Sequence, residues 1–211
     1  MSSISISISI LGLGTYARAI GARGVKAGST VEVIGRDVAK ANDLAAELGG
    51  DVTVGTFGAV PVGDIVILAV PYASAVPVVT QYGAALAGKV IIDISNTFAA
   101  ADDTELVTPE GSSGAQEIAK AVPASAHLVK AFNTVFAHVL ALGRPLDVLF
   151  AGDDAGAKAS VSEFIESLGL RPLDVGSLEM AHWLEGAGLL MMGVAGHGAG
   201  FNIALGVDVL G

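Results

Sequence analysis

The sequence predicts an α/β fold, a doubly wound parallel sheet with helices on both faces. Apolar runs alternate with helical patterns along most of the chain, and a glycine-rich turn directly follows the first run. Hydrophobic residues make up 52% of the 211 residues. This excess is typical of a parallel sheet, because its strands are covered on both sides and need no polar face. The length leaves room for one sizeable domain and a small appendage.

The N-terminal half is predicted to contain five strands and three helices. Its first strand alternates serine and isoleucine, a period that normally marks a half-exposed strand. We place it centrally, because serine is small enough to lie under a close-packed helix. Asp37 has the side chain of a helix N-cap, and Gly28 and Gly49 follow helix ends. The strands are Ser3–Leu11, Val31–Ile34, Val52–Val54, Asp64–Val70 and Lys89–Ile94, and the helices are Thr15–Ala27, Asp37–Leu48 and Ala75–Leu86.

The C-terminal half continues this alternation after a polar excursion over residues 95–110. The sequence Ser113-Gly-Ala-Gln116 has the form of a capping box and predicts a helix that runs to Ala121. The later strands are His127–Ala131, Asp147–Ala151 and Leu170–Val175, and the later helices are Thr134–Leu142, Ala155–Leu168 and Leu178–Met192. In a doubly wound sheet, ligands bind at the carboxyl ends of the strands.

Charge and composition exclude several functional classes. Lysine and arginine number 11 against 21 acidic residues, and the net charge of -10 disfavours nucleic acid and anionic membranes as partners. The chain has no cysteine, which excludes disulfides, thiolate metal sites and cysteine nucleophiles. No apolar run approaches the ~18 residues of a membrane span, and no basic segment precedes the first strand. We therefore expect a cytoplasmic protein without a signal peptide.

The turn after the first strand has the form G-x-G-x-x-A, from Gly12 and Gly14 to Ala17. The first glycine permits a tight turn, the second lets the backbone approach a pyrophosphate, and the small third residue lets the helix lie close to the strand. The helix start then offers free N–H groups and the positive end of its dipole to a phosphate. The motif predicts a dinucleotide site, and an ordinary strand-to-helix turn is the alternative.

The end of the second strand indicates which dinucleotide is bound. NAD-binding folds place an acidic residue there, but this chain has Gly35-Arg36. An arginine can form two hydrogen bonds with a 2′-phosphate, and Lys40, one helical turn later, could add a second cation. We therefore predict a preference for NADP. Asp37 is the competing ribose ligand, Glu32 is buried by strand parity, and a solvated role for Arg36 is the alternative.

Several segments together resemble the NADPH-dependent coenzyme F420 reductase family, the F420H2:NADP oxidoreductase-like dinucleotide-binding proteins, whose nucleotide domain recurs in six-transmembrane metalloreductases. The segments, in family order, are Ile8–Ala17, Gly35-Arg36-Asp37, Ile67–Pro71, Val90–Asn96 and Val129-Lys-Ala-Phe-Asn-Thr134. The resemblance implies a Rossmann domain over residues 1–145 that binds NADP(H). It also implies a C-terminal extension with a small helical domain over residues 146–211, a homodimer, and hydride transfer between NADP(H) and the deazaflavin coenzyme F420.

The resemblance also implies roles for individual residues in binding the cofactor. The residues at the pyrophosphate would be Gly12, Leu13, Gly14, Thr15, Tyr16 and Ala17, with Arg36 at the 2′-phosphate. The residues lining the passage to the nicotinamide would be Ala69, Val70, Pro71 and Tyr72, with Asn96 near its ribose and Ala131, Phe132 and Asn133 at its carboxamide. The family often has serine where this chain has Gly35, which removes one phosphate contact. The glycine-rich run Gly193–Gly200 matches no family segment.

No catalytic side chain is predicted, because hydride transfer between two rings requires orientation and a dry cleft rather than an acid and a base. His182 and Glu185 have a spacing that could share a metal, but no second pair accompanies them and no metal is predicted. Met191 and Met192 are core residues or a wall for a flat ring. The apolar segment Gly193–Leu205 predicts a twofold interface. Reduction of another flavin or an imine, and a non-catalytic NADP(H)-binding regulator, are the alternative functions.

Overall fold

A computed structural model of the chain describes residues 6–98 and 106–210, in which eight strands form one sheet flanked by helices. The strand order is β3-β2-β1-β4-β5-β6-β7-β8. The strands are β1 Ser7–Leu11, β2 Thr30–Gly35, β3 Thr53–Thr56, β4 Ile65–Leu68, β5 Val90–Asp93, β6 His127–Ala131, β7 Asp147–Gly152 and β8 Arg171–Asp174. The helices are α1 Thr15–Lys26, α2 Val38–Leu48, α3 Tyr72–Tyr82, α4 Gly114–Ala119, α5 Ala137–Ala141, α6 Ala155–Ser167 and α7 Ala181–Val194. The predicted doubly wound α/β class is confirmed.

Two strands, β7 and β8, depart from the predicted all-parallel sheet. β1 to β6 are parallel, but β7 pairs antiparallel with β6, and β8 is parallel to β7. A parallel return needs a crossover that carries the chain back along the strand, usually through a helix. The helix between these strands, α5, has 5 residues and a length of about 7.5 Å. It is shorter than the roughly 16 Å strand it follows, so the chain re-enters the sheet in the opposite direction.

The core lies in two layers, one on each face of the sheet. Ile8 and Ile10 of β1 pack on one face with Phe164 of α6, and Leu11 packs on the other face with Val78 of α3. All five side chains are at most 2% exposed. β7 and β8 continue the sheet, and α6 packs against it. The division between domains at residue 145 stays a prediction.

The serine–isoleucine alternation of β1 belongs to a central strand, as the prediction placed it, between β2 and β4. Ser9 is fully buried and donates a hydrogen bond to the Glu32 carboxylate at 2.5 Å, while its oxygen accepts from the Gly63 N–H at 2.8 Å. Glu32 also accepts from the Val62 N–H at 3.0 Å. The buried serine of β1 is therefore hydrogen-bonded inside the protein, and the Glu32 carboxylate accepts hydrogen bonds that join β1, β2 and the turn before β4.

The ends of several helices agree with the predicted signals. Asp37 caps α2 by accepting from the Lys40 N–H, and Ser113 caps α4 by accepting from the Gln116 N–H. Other boundaries shift: α3 begins at Tyr72, earlier than predicted, and the predicted start of α5 at Thr134 is a turn. In the described residues, no helix is long and apolar enough to cross a membrane.

Candidate nucleotide-binding site

A cavity of about 760 Å³ opens at the carboxyl ends of β1, β4, β5 and β6. The strand order reverses between β1 and β4, and such a switch point is where doubly wound sheets bind their ligands. Helix α7 also lines the cavity, through Gly188, Met191 and Met192. The lining residues are Gly14, Thr15, Tyr16, Ala69, Val70, Pro71, Tyr72, Ala73, Ile94, Ser95, Asn96, Phe98, Val107, Asn133, Thr134, Phe136, Gly188, Met191 and Met192.

The glycine loop has the geometry of an anion cradle. Gly12 has a φ of 128°, and a Cβ at this position would overlap the carbonyl oxygen of Ala69. Gly14 is the N-cap of α1, and a Cβ added there would meet no heavy atom within 4 Å. Among the described residues, no side chain caps this helix. The first N–H groups of α1 therefore remain available to a phosphate.

Gly35, where the resembling family often has serine, has a steric reason in this chain. A Cβ on Gly35 would overlap the side chain of Leu13 from the glycine loop. Leu13 itself is half-buried and packs against the core on that side. The small Gly35 therefore leaves room for the Leu13 side chain beside the end of β2.

Arg36 lies at the end of β2, exposed and outside the lining of the cavity. Its guanidinium carbon is 5.1 Å from the centre of the Phe57 ring, a cation–π contact that holds the side chain beside the sheet. Phe57 in turn packs edge-on against Tyr82, with ring centres 5.5 Å apart. Asp37 is engaged in capping α2, and its carboxylate lies 3.7 Å from the Lys40 ammonium. Arg36 is thus better placed than Asp37 for an incoming polar ligand.

Tyr16 connects the glycine loop to the segment after β6. Its hydroxyl donates a hydrogen bond to the carbonyl oxygen of Val135 at 2.8 Å. Burial raises the pKa of Tyr16 to about 12. The phenol is therefore neutral at physiological pH and acts as a hydrogen-bond donor within the cavity wall.

A strained residue turns the chain into the cavity after β6. Phe132 has a φ of 62°, which is uncommon for a bulky residue, and it is fully buried against Phe164 at a ring distance of 6.3 Å. Packing in the core holds this conformation. The next residues, Asn133 and Thr134, line the cavity.

Two asparagines bridge the ends of β5 and β6. Asn133 donates from Nδ2 to Asn96 Oδ1 at 3.0 Å and to the carbonyl oxygen of Leu184 in α7 at 2.7 Å. Asn96 donates from Nδ2 to the carbonyl oxygen of Asn133 at 3.0 Å. A Cβ on Gly188 would lie 2.8 Å from Asn96 Oδ1, so the glycine lets α7 approach this pair. The arrangement ties α7 to the sheet at the cavity.

A buried cluster of charges, not predicted from the sequence, lies next to the asparagines. The Lys130 ammonium is 2.7 Å from the Asp93 carboxylate and 3.0 Å from that of Glu185, and it also donates to the carbonyl oxygen of Ser95 at 2.6 Å. The three charged side chains are completely buried. Burial by itself lowers the pKa of Lys130, but the two carboxylates outweigh it and the net pKa is raised. Lys130 is therefore a cation that neutralises part of the charge of two buried acids.

Glu185 links α7 to two further elements. It accepts from the Thr97 hydroxyl at 3.0 Å, and from the N–H groups of Gly114 and Ala115, at the start of α4, at 2.9 and 3.2 Å. His182 faces elsewhere and its Nδ1 lies 3.1 Å from the carbonyl oxygen of Ser112. The spacing of His182 and Glu185 thus reflects packing of α7 against α4 and the sheet.

The structure brings many of the predicted site residues together at the cavity and leaves others behind its wall. The predicted residues that line the cavity are Gly14, Thr15, Tyr16, Ala69, Val70, Pro71, Tyr72, Asn96 and Asn133. Those outside the lining are Gly12, Leu13, Ala17, Arg36, Ala131 and Phe132. Ala17, Ala131 and Phe132 are fully buried in the core and shape the wall from behind. The cofactor contacts assigned to these residues stay predictions.

Three further lining residues, Thr134, Phe136 and Gly188, are not among the predicted site residues. The sequence predicts Thr134 at the start of a helix, but it lies in a turn. For Gly188 the usable signal is its position inside a helix, because glycine there is costly and often marks close packing. Met191 and Met192, expected near the cleft, do line it.

Comparison with known proteins bears on this site. Residues 7–97 match the protein family described as NADP oxidoreductase, coenzyme F420-dependent. The chain is 34% identical to metalloreductase STEAP3 of Rattus norvegicus over 192 residues, which are 88% of this chain and 37% of that protein. It is 32% identical to the F420-dependent NADP reductase of Methanocaldococcus jannaschii over 139 residues, which are 63% of this chain and 62% of that protein. The chain thus spans less than two thirds of either relative.

A solved structure extends the comparison to the whole fold. The protein is from Arthrobacter sp. FB24 and is provisionally named an F420-dependent NADP-reductase. It is 26% identical to this chain with a TM-score of 0.84, and the match covers 96% of this chain and 99% of that one. The resemblance to the NADPH-dependent coenzyme F420 reductase family is confirmed, and the family match includes the glycine loop, Arg36 and Asn96.

Proposed function

We propose that this chain is an NADP-dependent oxidoreductase that transfers a hydride between NADP(H) and the deazaflavin coenzyme F420. One observation carries the proposal: a single cavity joins the open N-terminus of α1 to a wall of apolar side chains. The N-terminus of α1 suits a pyrophosphate, and the apolar wall suits the flat rings of the two cofactors. The family match supports the nucleotide, and the reductase of Methanocaldococcus jannaschii supports the acceptor.

The residues present fit NADP(H). Gly14 leaves open space where any other residue would place a side chain, and the first N–H groups of α1 can donate to the pyrophosphate. Arg36, held over Phe57, would bind the 2′-phosphate through its guanidinium. These two features together supply the local positive potential that a chain of net charge -10 needs to bind a polyanion.

The apolar part of the cavity lining would orient the reacting rings. It is made by Met191 and Met192 from α7, with Phe98, Val107 and Phe136. Such a lining excludes water and lets two flat rings stack in line, and the nicotinamide then supplies or accepts the hydride. The protein's own contribution is orientation and a dry cleft, so no acid or base is assigned.

A different acceptor is the second candidate. Metalloreductase STEAP3 matches this chain over more residues than the F420-dependent NADP reductase does, and this chain spans 37% of it. That match favours a nucleotide-binding reductase whose acceptor is not F420; another flavin or an imine is then the acceptor to test. A non-catalytic NADP(H)-binding regulator is the function that remains if no acceptor oxidises NADPH.

The acceptor is tested by spectroscopy on the full chain. We expect NADPH absorbance to fall when F420 is added, and to stay constant with FMN, with a cyclic imine, or without acceptor. Oxidation with FMN or the imine alone would replace F420 by that acceptor. Tight NADPH binding without oxidation by any of the three would favour the regulator.

The same proposal includes a homodimer. Trp183, Leu190 and Val194 are 67%, 74% and 54% exposed, and their spacing of seven and four residues places them on one face of α7. A large exposed apolar stripe commonly forms a twofold interface. Leu190→Glu should convert a sedimenting dimer to a monomer, whereas Lys40→Glu, on exposed α2, should not. A wild-type chain that sediments as a monomer at micromolar concentration would refute the dimer.

A further inference from the structure

The cavity lining contains no charged side chain in the part of the chain that the structure describes. It consists of glycine, alanine, valine, proline, isoleucine, methionine, phenylalanine, tyrosine, serine, threonine and asparagine residues. Residues 1–5, 99–105 and 211 are outside the described ranges, and their sequence holds three acids and no lysine or arginine. A ligand in this cavity therefore meets a wall of uncharged side chains.

Several polar side chains of the lining are hydrogen-bonded within the protein. The Tyr16 hydroxyl donates to the backbone after β6 at 2.8 Å, and the Ser95 hydroxyl donates to the Asp93 carboxylate at 2.7 Å. Asn96 donates to the backbone carbonyl of Asn133, and Asn133 donates to the side-chain oxygen of Asn96, both at 3.0 Å. These hydrogen bonds leave few side-chain donors in the lining for an anionic ligand.

The buried cation next to the cavity is neutralised by the protein itself. The Lys130 ammonium donates to the carbonyl oxygen of Ser95, a lining residue, at 2.6 Å. It is completely buried, 2.7 Å from the Asp93 carboxylate and 3.0 Å from that of Glu185. The cluster holds one lysine and two acids, so it offers no positive potential to a ligand in the cavity.

The positive features of the site are placed for the nucleotide. The N–H groups at the start of α1 face the cavity beside Gly14, and Arg36 lies at the end of β2, outside the lining. In a chain of net charge -10, an anion is bound where local features of this kind outweigh the general repulsion. Under the proposed function the phosphates of NADP(H) use both features. A second anionic ligand has no cation of its own in the described lining.

We infer that the acceptor subsite recognises an uncharged flat ring and gains no affinity from an anionic side chain. This inference rests on the proposed function and narrows its acceptor. Coenzyme F420 carries a phosphodiester and glutamate carboxylates on the side chain of its deazaflavin. Phe136, Met191 and Met192 offer the ring an apolar surface, whereas nothing in the described lining pairs with the side-chain charges. The side chain extends into solvent, and the neutral ring alone is a sufficient acceptor.

The test compares acceptors that share a ring and differ in the charge of the side chain. One pair is F420 and the same deazaflavin with a neutral ribityl side chain, and the other is FMN and riboflavin. For each acceptor that oxidises NADPH, kcat/KM is measured on the full chain at saturating NADPH. A site that held the anionic side chain would form charge-assisted hydrogen bonds, each worth about tenfold or more in affinity. We expect the charged member of a pair to be preferred by no more than about threefold, and a larger preference would overturn the inference.

Salt dependence supplies a second readout with opposite signs for the two ligands. Between about 0.01 and 0.15 M salt the screening length falls from about 30 to 8 Å. The KM for NADPH should rise over this range, because its phosphates are attracted to Arg36 and to the start of α1. The value of kcat/KM for F420 should stay constant or rise, because the acidic chain repels its side chain. A fall for F420 that the neutral deazaflavin does not show would reveal a cation at the acceptor and contradict the inference.

Arg36→Ala separates the nucleotide from the acceptor. At saturating NADPH it should leave the ratio of kcat/KM for F420 to that for the neutral deazaflavin as in the wild type. A drop in this ratio would assign Arg36 to the acceptor side chain and overturn the inference. A strong preference for F420 over its neutral counterpart would do the same and leave the proposed function standing. NADPH binding without oxidation by any of the four acceptors would remove the proposed function and this inference together.

Discussion

The glycine loop between β1 and α1 and the polar cluster beside α7 border the same cavity, but different parts of the chain hold them together. In the loop, the backbone of Gly12 and Gly14 fits against the sheet without help from charged side chains. In the cluster, Glu185 bonds to Thr97, 88 positions away, and forms an ion pair with Lys130 on β6. Backbone N–H groups of the loop can face solvent without destabilising the fold. A buried charge that loses its partner, in contrast, strongly destabilises it.

This contrast makes Lys130→Met the substitution with the largest expected effect. It leaves the buried carboxylates of Asp93 and Glu185 without their cation, and breaking a buried ion pair in this way costs about 3–5 kcal/mol. The free energy of unfolding, from denaturant titration, should fall by that amount. Lys120→Met, which removes an exposed lysine paired with Glu117, should leave the midpoint nearly unchanged.

A second variant guards against a trivial loss of folding. Adding Glu185→Gln to Lys130→Met should recover part of the stability, because one stranded charge is neutralised while the amide oxygen can still accept from Thr97. Equal stabilities of Lys130→Met and Lys120→Met would show that the buried ion pairs of Lys130 do not stabilise the fold.

At the nucleotide end, Arg36→Ala should change binding and leave folding intact. Arg36 is exposed and contacts the Phe57 ring, so its removal uncovers no buried charge. The loss of a charge-assisted contact to the 2′-phosphate should weaken NADPH binding by roughly 1.5–3 kcal/mol and leave NADH binding almost unchanged. Fluorescence titration measures both affinities, and Arg18→Ala, at another exposed arginine, is the control. Equal losses for the two nucleotides would remove Arg36 from the 2′-phosphate.

The same contrast explains what the sequence could predict. The spacing of Gly12, Gly14 and Ala17 predicts the loop, and Asp37 predicts the start of α2, because each feature depends on a few adjacent residues. The antiparallel β7 was missed, since strand direction depends on how far α5 carries the chain and not on the pattern within β7. Local sequence patterns therefore predict most helices and strands and the glycine loop, but not the direction of β7.

Part of the buried cluster of Lys130, Asp93 and Glu185 could have been predicted from the sequence. Lys130 stands in a buried apolar strand, and in register it lies beside Asp93 of the neighbouring strand. A lysine and an aspartate in two adjacent buried strands predict an ion pair once the strand order is known. Glu185 could not be added in this way, because nothing in the helical pattern of α7 fixes which face packs on the sheet. The ion pair between Lys130 and Glu185, which are far apart in the sequence, is therefore seen only in the structure.

Tyr16 lies between the two regions, and Tyr16→Phe should have the smallest effect. At neutral pH it removes one hydrogen bond to Val135, a loss of about 1 kcal/mol in the free energy of unfolding. Burial raises the pKa of Tyr16 from 10.0 to about 12, so the unfolded chain ionises first. Its contribution is complete below pH 10 and disappears as the pH rises through 12. Denaturant titrations across this range should show a shallower alkaline decline in Tyr16→Phe than in the wild type, while Tyr72→Phe should keep the part of the decline that belongs to Tyr16. An unchanged decline in Tyr16→Phe would mean that the phenol is hydrated, and that the glycine loop and the segment after β6 are not joined through it.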